Sequence, residues 1–180
     1  MRSMIFDTET TDLMANIGRP IEHQPDCIEF FGLELIEGED GELTEGRTLG
    51  QLIKPRKAIT DFTKNLTGIT NEMVRDKGSF AHYAQGIKDF IESHDLVVAH
   101  NAAFDMDIIN TEMTRCGMSV TWPTVLCTVE MTLWIKGFRL KLGMLHIELF
   151  GEDFADKHRA EPDVRALARC YIELRKREWI

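Results

Sequence analysis

The sequence predicts an α/β fold in which a β-hairpin comes first and alternating helices and strands follow. Two observations support this prediction. Apolar residues alternate with a period of two in the first third of the chain, which is typical of strands, and beyond Phe80 they recur at helical spacing between short apolar runs. With 180 residues and 43% hydrophobic content, the chain is long enough to bury one core, so we expect a single domain over residues 1–180.

The first part of the chain is predicted to form three strands. Ser3–Glu9 is the first, Cys27–Ile36 is the second, and Thr48–Ile53 is the third, which ends before Pro55. The segment Gly38-Glu-Asp-Gly41 has the residue types of a hairpin turn, so the second and third strands should be antiparallel.

The remainder of the chain alternates between helix and strand. The predicted elements are a helix from Phe80 to about Glu92, a strand Leu96–Ala99, a helix from about Ala103 to Cys116, a strand Thr124–Cys127 and then further helices. The last helix is the clearest, because Val164, Leu167, Ala168, Tyr171 and Ile172 recur at helical spacing after Pro162 in its first turn. Segments 15–25 and 54–70 are predicted to be long functional loops.

Composition excludes several classes of protein. No run of 18 apolar residues is present, so we expect no membrane span and a cytoplasmic location. The four cysteines show no C-x-x-C spacing and should be reduced thiols. The net charge of -9 argues against a protein that coats long nucleic acids, because such binding depends on lysine and arginine contacts with phosphates. It allows a protein that grips only a strand end.

Acidic side chains occur at two informative places. Asp7 and Glu9 lie two residues apart at the end of a strand, so they should leave the sheet on the same side, where α/β sheets place their ligands. Asp105 falls on the same helix face as Ile108 and Ile109, and a carboxylate on an apolar face needs a metal or a structural partner. We interpret Asp105 as linked to a metal.

Two acids that follow Asp105 in the same predicted helix receive other roles. Glu112 also falls near the apolar face and is expected to form a structural ion pair, whereas Asp107 should face water.

His158 lies in a loop five residues before Asp163, which begins the last helix. A loop histidine could activate a water molecule near neutral pH while the helix holds the carboxylate still. Four carboxylates and one imidazole are the groups that a metal-dependent phosphodiester hydrolase requires.

Three motifs resemble those of the DEDDh exonucleases, which include the proofreading epsilon subunit of bacterial replicative polymerases and ribonuclease T. They are Ile5-Phe6-Asp7-Thr8-Glu9-Thr10-Thr11, His100-Asn101-Ala102-Ala103-Phe104-Asp105 and His158-Arg159-Ala160-Glu161-Pro162-Asp163. Leu66-Thr67-Gly68-Ile69-Thr70 also resembles the loop with which this family cradles the terminal nucleotide.

The resemblance implies a ribonuclease H-like fold with a mixed five-stranded sheet flanked by helices. It also implies that Asp7, Glu9, Asp105 and Asp163 bind two Mg²⁺ or Mn²⁺ ions and that His158 is the general base. Further residues are expected to bind the substrate: Thr8, Thr10, Leu66, Thr67, Gly68, His100, Asn101 and Phe104. A short helix capped by Thr70, and core packing of Phe104, are alternative interpretations.

The expected activity is 3′ to 5′ hydrolysis of single-stranded DNA ends with release of nucleoside 5′-monophosphates. One alternative is an exonuclease for RNA 3′ ends or an oligoribonuclease, which a contact to the 2′-hydroxyl would distinguish. The other is a noncatalytic module that binds nucleic acid or a polymerase, which is disfavoured because all five chemical residues are present. A DNA polymerase or other replication protein is the expected partner.

Overall fold

The computed structural model describes residues 1–14 and 20–180. The predicted loop 15–25 therefore lies partly outside the described residues, and its later part contains a short 3₁₀ turn, Ile21–His23. The strands are β1 (Arg2–Thr10), β2 (Cys27–Glu37), β3 (Leu43–Leu52), β4 (Leu96–Ala99) and β5 (Thr124–Cys127). The α-helices are α1 (Asp61–Thr67), α2 (Asn71–Val74), α3 (Phe80–Glu92), α4 (Ala102–Arg115), α5 (Thr128–Lys136), α6 (Leu142–Phe150) and α7 (Ala160–Lys176).

The five strands form one mixed sheet in the order β3-β2-β1-β4-β5, which confirms the predicted five-stranded sheet flanked by helices. The pairs β1–β2 and β2–β3 are antiparallel, whereas β1–β4 and β4–β5 are parallel. Strand β1 is thus central and carries both kinds of ladder. Parallel strands ending beside a central strand create an edge at which loops meet, and the candidate site lies there.

Both faces of β1 are buried, and successive residues contribute to different layers. Met4 and Phe6 pack in the core cluster that includes residues of α3 and α4. Ile5 packs on the other face, in a cluster with Val164 and Leu167 of α7. This alternation follows from the two-residue period of a strand, and it decides where the polar residues at the end of β1 point.

One predicted boundary and one predicted loop were wrong. Strand β3 begins at Leu43 rather than Thr48, because a largely exposed edge strand shows little apolar alternation even though it pairs with β2. The predicted loop 54–70 contains helix α1, which is hard to recognise because it buries Thr63 and Thr67 and exposes Phe62. The expected cap at Thr70 is confirmed, since its hydroxyl accepts a hydrogen bond from the Met73 amide at 3.3 Å.

The side-chain predictions for Glu112 and Asp107 are confirmed. Glu112 accepts a hydrogen bond from the Cys27 amide at 2.9 Å and pairs with Arg115 at 3.2 Å, while Asp107 is exposed. All four cysteines are free. Within residues 1–14 and 20–180, no helix is both long enough and apolar enough to cross a membrane.

Glu34 is a buried carboxylate that ties three strands together. It lies on β2, accepts hydrogen bonds from Arg2 Nε of β1 at 2.7 Å and from the Arg47 amide of β3 at 3.0 Å, and approaches His94 Nε2 at 3.5 Å. Burial alone would raise the pKa of Glu34, but the hydrogen bonds from Arg47 and Arg2 outweigh it and lower the pKa to about 2.

Replacing Glu34 by glutamine should therefore destabilise the protein at neutral pH by about 1–3 kcal/mol, the usual range for hydrogen bonds to charged groups. Because the folded-state pKa lies below the unfolded value, this stability is present above about pH 4.5 and is lost as the pH falls toward about 2. Denaturant unfolding of wild type and Glu34→Gln should thus converge in acid. Glu39→Gln, at an exposed position of the hairpin turn, is the control, and a pH-independent difference would contradict the assignment.

Candidate active site

The first two acids leave the sheet together, as the sequence predicts. Residues 5, 7 and 9 of β1 share one face, so Asp7 and Glu9 follow Ile5 toward the layer that contains α7. The register of β1 on β2 shifts between Glu9 and Thr10, and this irregularity ends the regular strand beside the acids.

Asp163 meets these two acids from helix α7. It lies in the first turn of that helix, and one oxygen from each of Asp7, Glu9 and Asp163 can lie within 4.8 Å of the others. Asp163 Oδ2 accepts a hydrogen bond from the His158 amide at 3.1 Å, whereas the buried Oδ1 has no hydrogen-bond partner among the described residues. A buried carboxylate oxygen without a donor fits a metal ligand, since burial without compensation is costly.

The electrostatics of the three acids also fit a cation. Burial, followed by the charges of Asp105 and Glu9, raises the pKa of Asp7 well above its usual value. Burial and the charges of Asp163 and Glu29 raise the pKa of Glu9 to about 8. Burial raises the pKa of Asp163 to about 6, against the hydrogen bond from His158. Carboxylates crowded in this way stay ionised at neutral pH when a divalent ion lies among them, and an all-oxygen set suits Mg²⁺ or Mn²⁺.

Asp105 reaches the same strand from the opposite face of the sheet. Its Oδ1 accepts hydrogen bonds from the Thr8 amide at 3.0 Å and the Thr8 hydroxyl at 2.7 Å. Burial raises the pKa of Asp105 to about 7, although the Thr8 hydrogen bonds lower it. The structure therefore brings together three of the four predicted ligands and holds Asp105 beside Asp7.

Thr8 supports Asp105, and its contact with substrate stays a prediction. The residue is only 5% exposed, because an even-numbered position of β1 faces α4 rather than the open side of the sheet. Its hydroxyl and amide both serve Asp105. Thr10, in contrast, is partly exposed and donates a hydrogen bond to the Asp12 carbonyl at 2.7 Å, and its role toward substrate stays a prediction.

His158 is exposed in the loop between α6 and α7, as predicted. Its backbone adopts a left-handed φ of 64°, which is uncommon for a residue other than glycine. The residue and Asp163 line a cavity of about 360 Å³ together with Lys141, Phe154 and others. The imidazole thus has open space beside the acids.

The loop predicted to cradle a nucleotide lines a larger cavity of about 920 Å³. Leu66, which is 46% exposed, is available for an apolar contact. The Gly68 N–H donates to the Lys64 carbonyl at 2.8 Å, and Gly68 ends α1 in a left-handed conformation. Substrate binding by Gly68 stays a prediction. The Thr67 hydroxyl is buried and donates to the Thr63 carbonyl at 2.9 Å, so any Thr67 contact must come from its backbone.

The second motif has mainly structural contacts. His100 Nδ1 lies 2.8 Å from the Thr128 hydroxyl, and burial lowers the pKa of His100 to about 4, so its ring is neutral. Asn101 is exposed, has a φ of 73° and precedes α4. Phe104 is partly buried against the core, in agreement with its alternative interpretation. Substrate binding by His100, Asn101 and Phe104 stays a prediction.

Two neighbours of the acids were not anticipated as a pair. Glu29 of β2 lies directly opposite Glu9 in the β1–β2 ladder and is bonded to Arg159, the residue after His158. A charged residue between Ile28 and Phe30, in a strand that is otherwise apolar at this end, was the available signal. The partner of Glu29 is 130 residues away and is visible only in the folded chain.

The fold resembles that of solved exonucleases. Exonuclease X, in complex with 5′ overhanging duplex DNA, matches 99% of this chain and 94% of its own with a TM-score of 0.68 and 20% identity. The nuclease domain of 3′hExo, a DEDDh family member bound to rAMP, matches 97% of this chain and 92% of its own with a TM-score of 0.74 and 19% identity. These similarities confirm the ribonuclease H-like fold.

Sequence comparison gives the family. The PolC-type DNA polymerase III of Pediococcus pentosaceus is 29% identical over 180 residues, which cover 97% of this chain and 11% of the polymerase. The 3′-5′ exonuclease DinG of Bacillus subtilis is 26% identical over 177 residues, which cover 96% of this chain and 17% of that protein. This chain therefore spans less than a fifth of the length of these relatives. The RNase_T exonuclease model matches residues 4–171, and the chain belongs to this exonuclease family.

Proposed function

We propose that the chain acts as a single exonuclease domain that hydrolyses phosphodiester bonds at single-stranded DNA 3′ ends and releases nucleoside 5′-monophosphates. The observation that supports this most is the meeting of Asp7, Glu9 and Asp163 beside an exposed His158. The family to which the chain belongs, and its similarity to the polymerase and DinG segments, support the same chemistry.

Two Mg²⁺ or Mn²⁺ ions are the proposed cofactors. Asp7, Glu9 and Asp163 would hold one ion, and Asp7 with Asp105, directly or through water, would hold the second. Bound there, the ions would supply Lewis-acid stabilisation of the charge that develops on the phosphoryl oxygens and the leaving oxygen. The oxygen-only donors, the orphaned Asp163 oxygen and the raised pKa values of Glu9 and Asp105 support this assignment.

His158 is the proposed general base. Its imidazole would take a proton from a water molecule, whose oxygen then bonds to phosphorus as the bond from phosphorus to the 3′ oxygen of the preceding nucleotide breaks. The leaving oxygen acquires a proton from solvent. Leu66 would contact the terminal base at the wall of the 920 Å³ cavity. Asp163 holds the His158 backbone, so ligand and base are connected by one hydrogen bond.

An RNA 3′ end is the alternative substrate. The fold is also similar to that of the 3′-exonuclease solved in 3′-end-specific recognition of histone mRNA stem-loop, with a TM-score of 0.75 and 17% identity. End-labelled DNA and RNA of matched sequence, digested with Mg²⁺ or Mn²⁺ and resolved by length, will decide between the two. Failure to shorten either strand would favour a noncatalytic module instead.

A DNA polymerase or another replication protein is the proposed partner. The supporting observation is that PolC-type polymerases contain a segment similar to nearly the whole of this chain. Such a partner would supply the hold on DNA that a chain of net charge -9 lacks.

The Asp7→Asn variant tests the metal site without relying on activity. Because the pKa values of Asp7, Glu9 and Asp163 are raised, the metal-free protein should lose stability as the pH rises from about 4 to about 8, and Mn²⁺ should restore it. At pH 8, Asp7→Asn should melt at a higher temperature than wild type without metal and should lose most of the rise that Mn²⁺ produces. Activity should fall by about two to four orders of magnitude.

Asp107→Asn is the matched control, because Asp107 is exposed on the outer side of α4 and should behave as wild type. The metal site would be refuted if Asp7→Asn retained the full Mn²⁺-dependent rise in melting temperature, or full activity in excess EDTA.

The His158→Gln variant separates catalysis from binding. Loss of a general base should lower the single-turnover rate by about 10²- to 10⁴-fold, while oligonucleotide affinity and the Mn²⁺-dependent melting shift stay near wild type. The control is His82→Gln on the exposed side of α3. An unchanged single-turnover rate would show that another group activates water.

Binding should depend only weakly on salt. Near the Leu66 loop, Lys54, Lys57 and Lys64 form no ion pair with the described residues, whereas Arg56 is bonded to Asp26. With roughly two to four phosphate contacts at about -0.7 each, log affinity for a single strand should fall by about 1.5 to 3 units per tenfold increase in salt. Titration of inactive Asp7→Asn with a labelled strand measures this slope. A slope near -8 would require an extended basic surface.

A further inference from the structure

The loop that carries His158 has a backbone that needs external support. Asp156 has a φ of 56° and His158 a φ of 64°, both in the left-handed region that side chains with a Cβ rarely adopt. Such conformations persist when surrounding contacts determine them. The hydrogen bond from the His158 amide to Asp163 is one such contact, but it joins two residues of the same segment and does not fix that segment to the sheet.

Arg159 provides the connection to the sheet. Its Nε donates to Glu29 Oε2 at 2.9 Å and its Nη2 to Glu29 Oε1 at 2.7 Å, which is the two-point geometry that makes an arginine–carboxylate pair directional. Glu29 is only 7% exposed, so water competes little for this contact. Rotation of the Arg159 guanidinium away from the Glu29 carboxylate would break both hydrogen bonds.

Glu29 also caps helix α7. The first helical residue, Ala160, donates its amide to Glu29 Oε2 at 3.0 Å, and the preceding residue, Arg159, makes no side-chain cap of its own. The first amides of a helix have no partner within the helix, and a carboxylate at this end is favourable. Glu29 therefore fixes the start of α7, and Asp163 lies in that same first turn.

The position of Glu29 in the sheet connects this cap to the strand that carries Asp7 and Glu9. Glu29 is paired with Glu9 across the β1–β2 ladder, and directly opposite residues point to the same face at close range. The carboxylate that holds the loop and the helix is thus anchored to the strand pair that carries Asp7 and Glu9. Without Arg159, Glu29 would add one more uncompensated charge beside Glu9.

We propose that Glu29 and Arg159 are positioning residues, which place the His158 base and the Asp163 ligand relative to Asp7 and Glu9. This inference rests on the proposed exonuclease function. A different role for Arg159 is a direct contact with a substrate phosphate, since the residue also lines the 920 Å³ cavity. The two roles differ in what they predict for Glu29, because loss of Glu29 would free Arg159 to bind phosphate but would release the loop.

The experiment compares Arg159→Ala, Arg159→Lys, Glu29→Gln and the double variant Glu29→Gln/Arg159→Ala. For each, single-turnover rates at saturating oligonucleotide and Mn²⁺ are measured beside oligonucleotide affinity in Ca²⁺ and melting temperature with and without Mn²⁺. Arg177→Ala is the control, since it also breaks an arginine–glutamate contact, at the end of α7, but lies about 27 Å along the helix from Arg159.

Arg159→Ala and Glu29→Gln should each lower the rate by roughly 10- to 100-fold, the usual effect of residues that orient ligands, with oligonucleotide affinity within about threefold of wild type. Arg159→Lys should recover the rate only in part, because an ammonium cannot make both hydrogen bonds. The double variant should be no slower than the slower of the two single variants, because Arg159 acts through Glu29. Arg177→Ala should match wild type.

Three results would overturn the proposal. Weaker oligonucleotide binding by Arg159→Ala with an unchanged saturated rate, together with tighter binding by Glu29→Gln, would make Arg159 a phosphate contact. Loss of the Mn²⁺-dependent melting shift in Glu29→Gln, as large as in Asp7→Asn, would make Glu29 a metal ligand. Rate losses that multiply in the double variant would make the residues independent. If wild type itself cleaves neither DNA nor RNA, the exonuclease function fails, and this result is distinct from all three.

Discussion

The central strand β1 is buried on both faces, and the whole site depends on this constraint. Because successive side chains of a strand point to opposite sides, Asp7 and Glu9 face α7 while Thr8 faces α4. The segment 7–9 thus lies beside one acid from each helical layer. Asp163 of α7 lies close to Asp7 and Glu9, and Asp105 of α4 is bonded to Thr8. A shift of the strand by one residue would exchange the two faces and separate every one of these contacts.

The acids are held together against their mutual repulsion by the packing around them. Ile5 and Phe6, which precede Asp7, are fully buried, so the strand end cannot move away from α7 without exposing core residues. The raised pKa values of Glu9, Asp105 and Asp163 express the cost of this arrangement without a cation. A protein can store such a cost at a functional site when the rest of the core over-determines the backbone.

Five arginines of this acidic chain compensate buried carboxylates. Asp26 is paired with Arg56 and Arg115, Glu34 with Arg2 and Arg47, and Glu29 with Arg159. Arginine suits these places because its planar guanidinium can satisfy two acceptors at once. The cations that line the larger cavity, Lys157 and Arg159, are themselves paired with Asp153 and Glu29, which fits a protein that contacts few phosphates. Affinity for long nucleic acids would then come from a partner.

The sequence by itself determined the α/β order of elements, the placement of Asp7 and Glu9 on one side of a strand, and the position of Asp163 at the start of the last helix. These properties are local, since they follow from the periods of a strand and a helix and from Pro162. Only the tertiary structure decided that Thr8 binds Asp105, that helix α1 forms within the 54–70 segment, and that Glu29 holds Arg159. The two side-chain contacts join residues 97 and 130 positions apart. The helix at 61–67 has Phe62 and Leu66 exposed to solvent, so no local period signals any of these features.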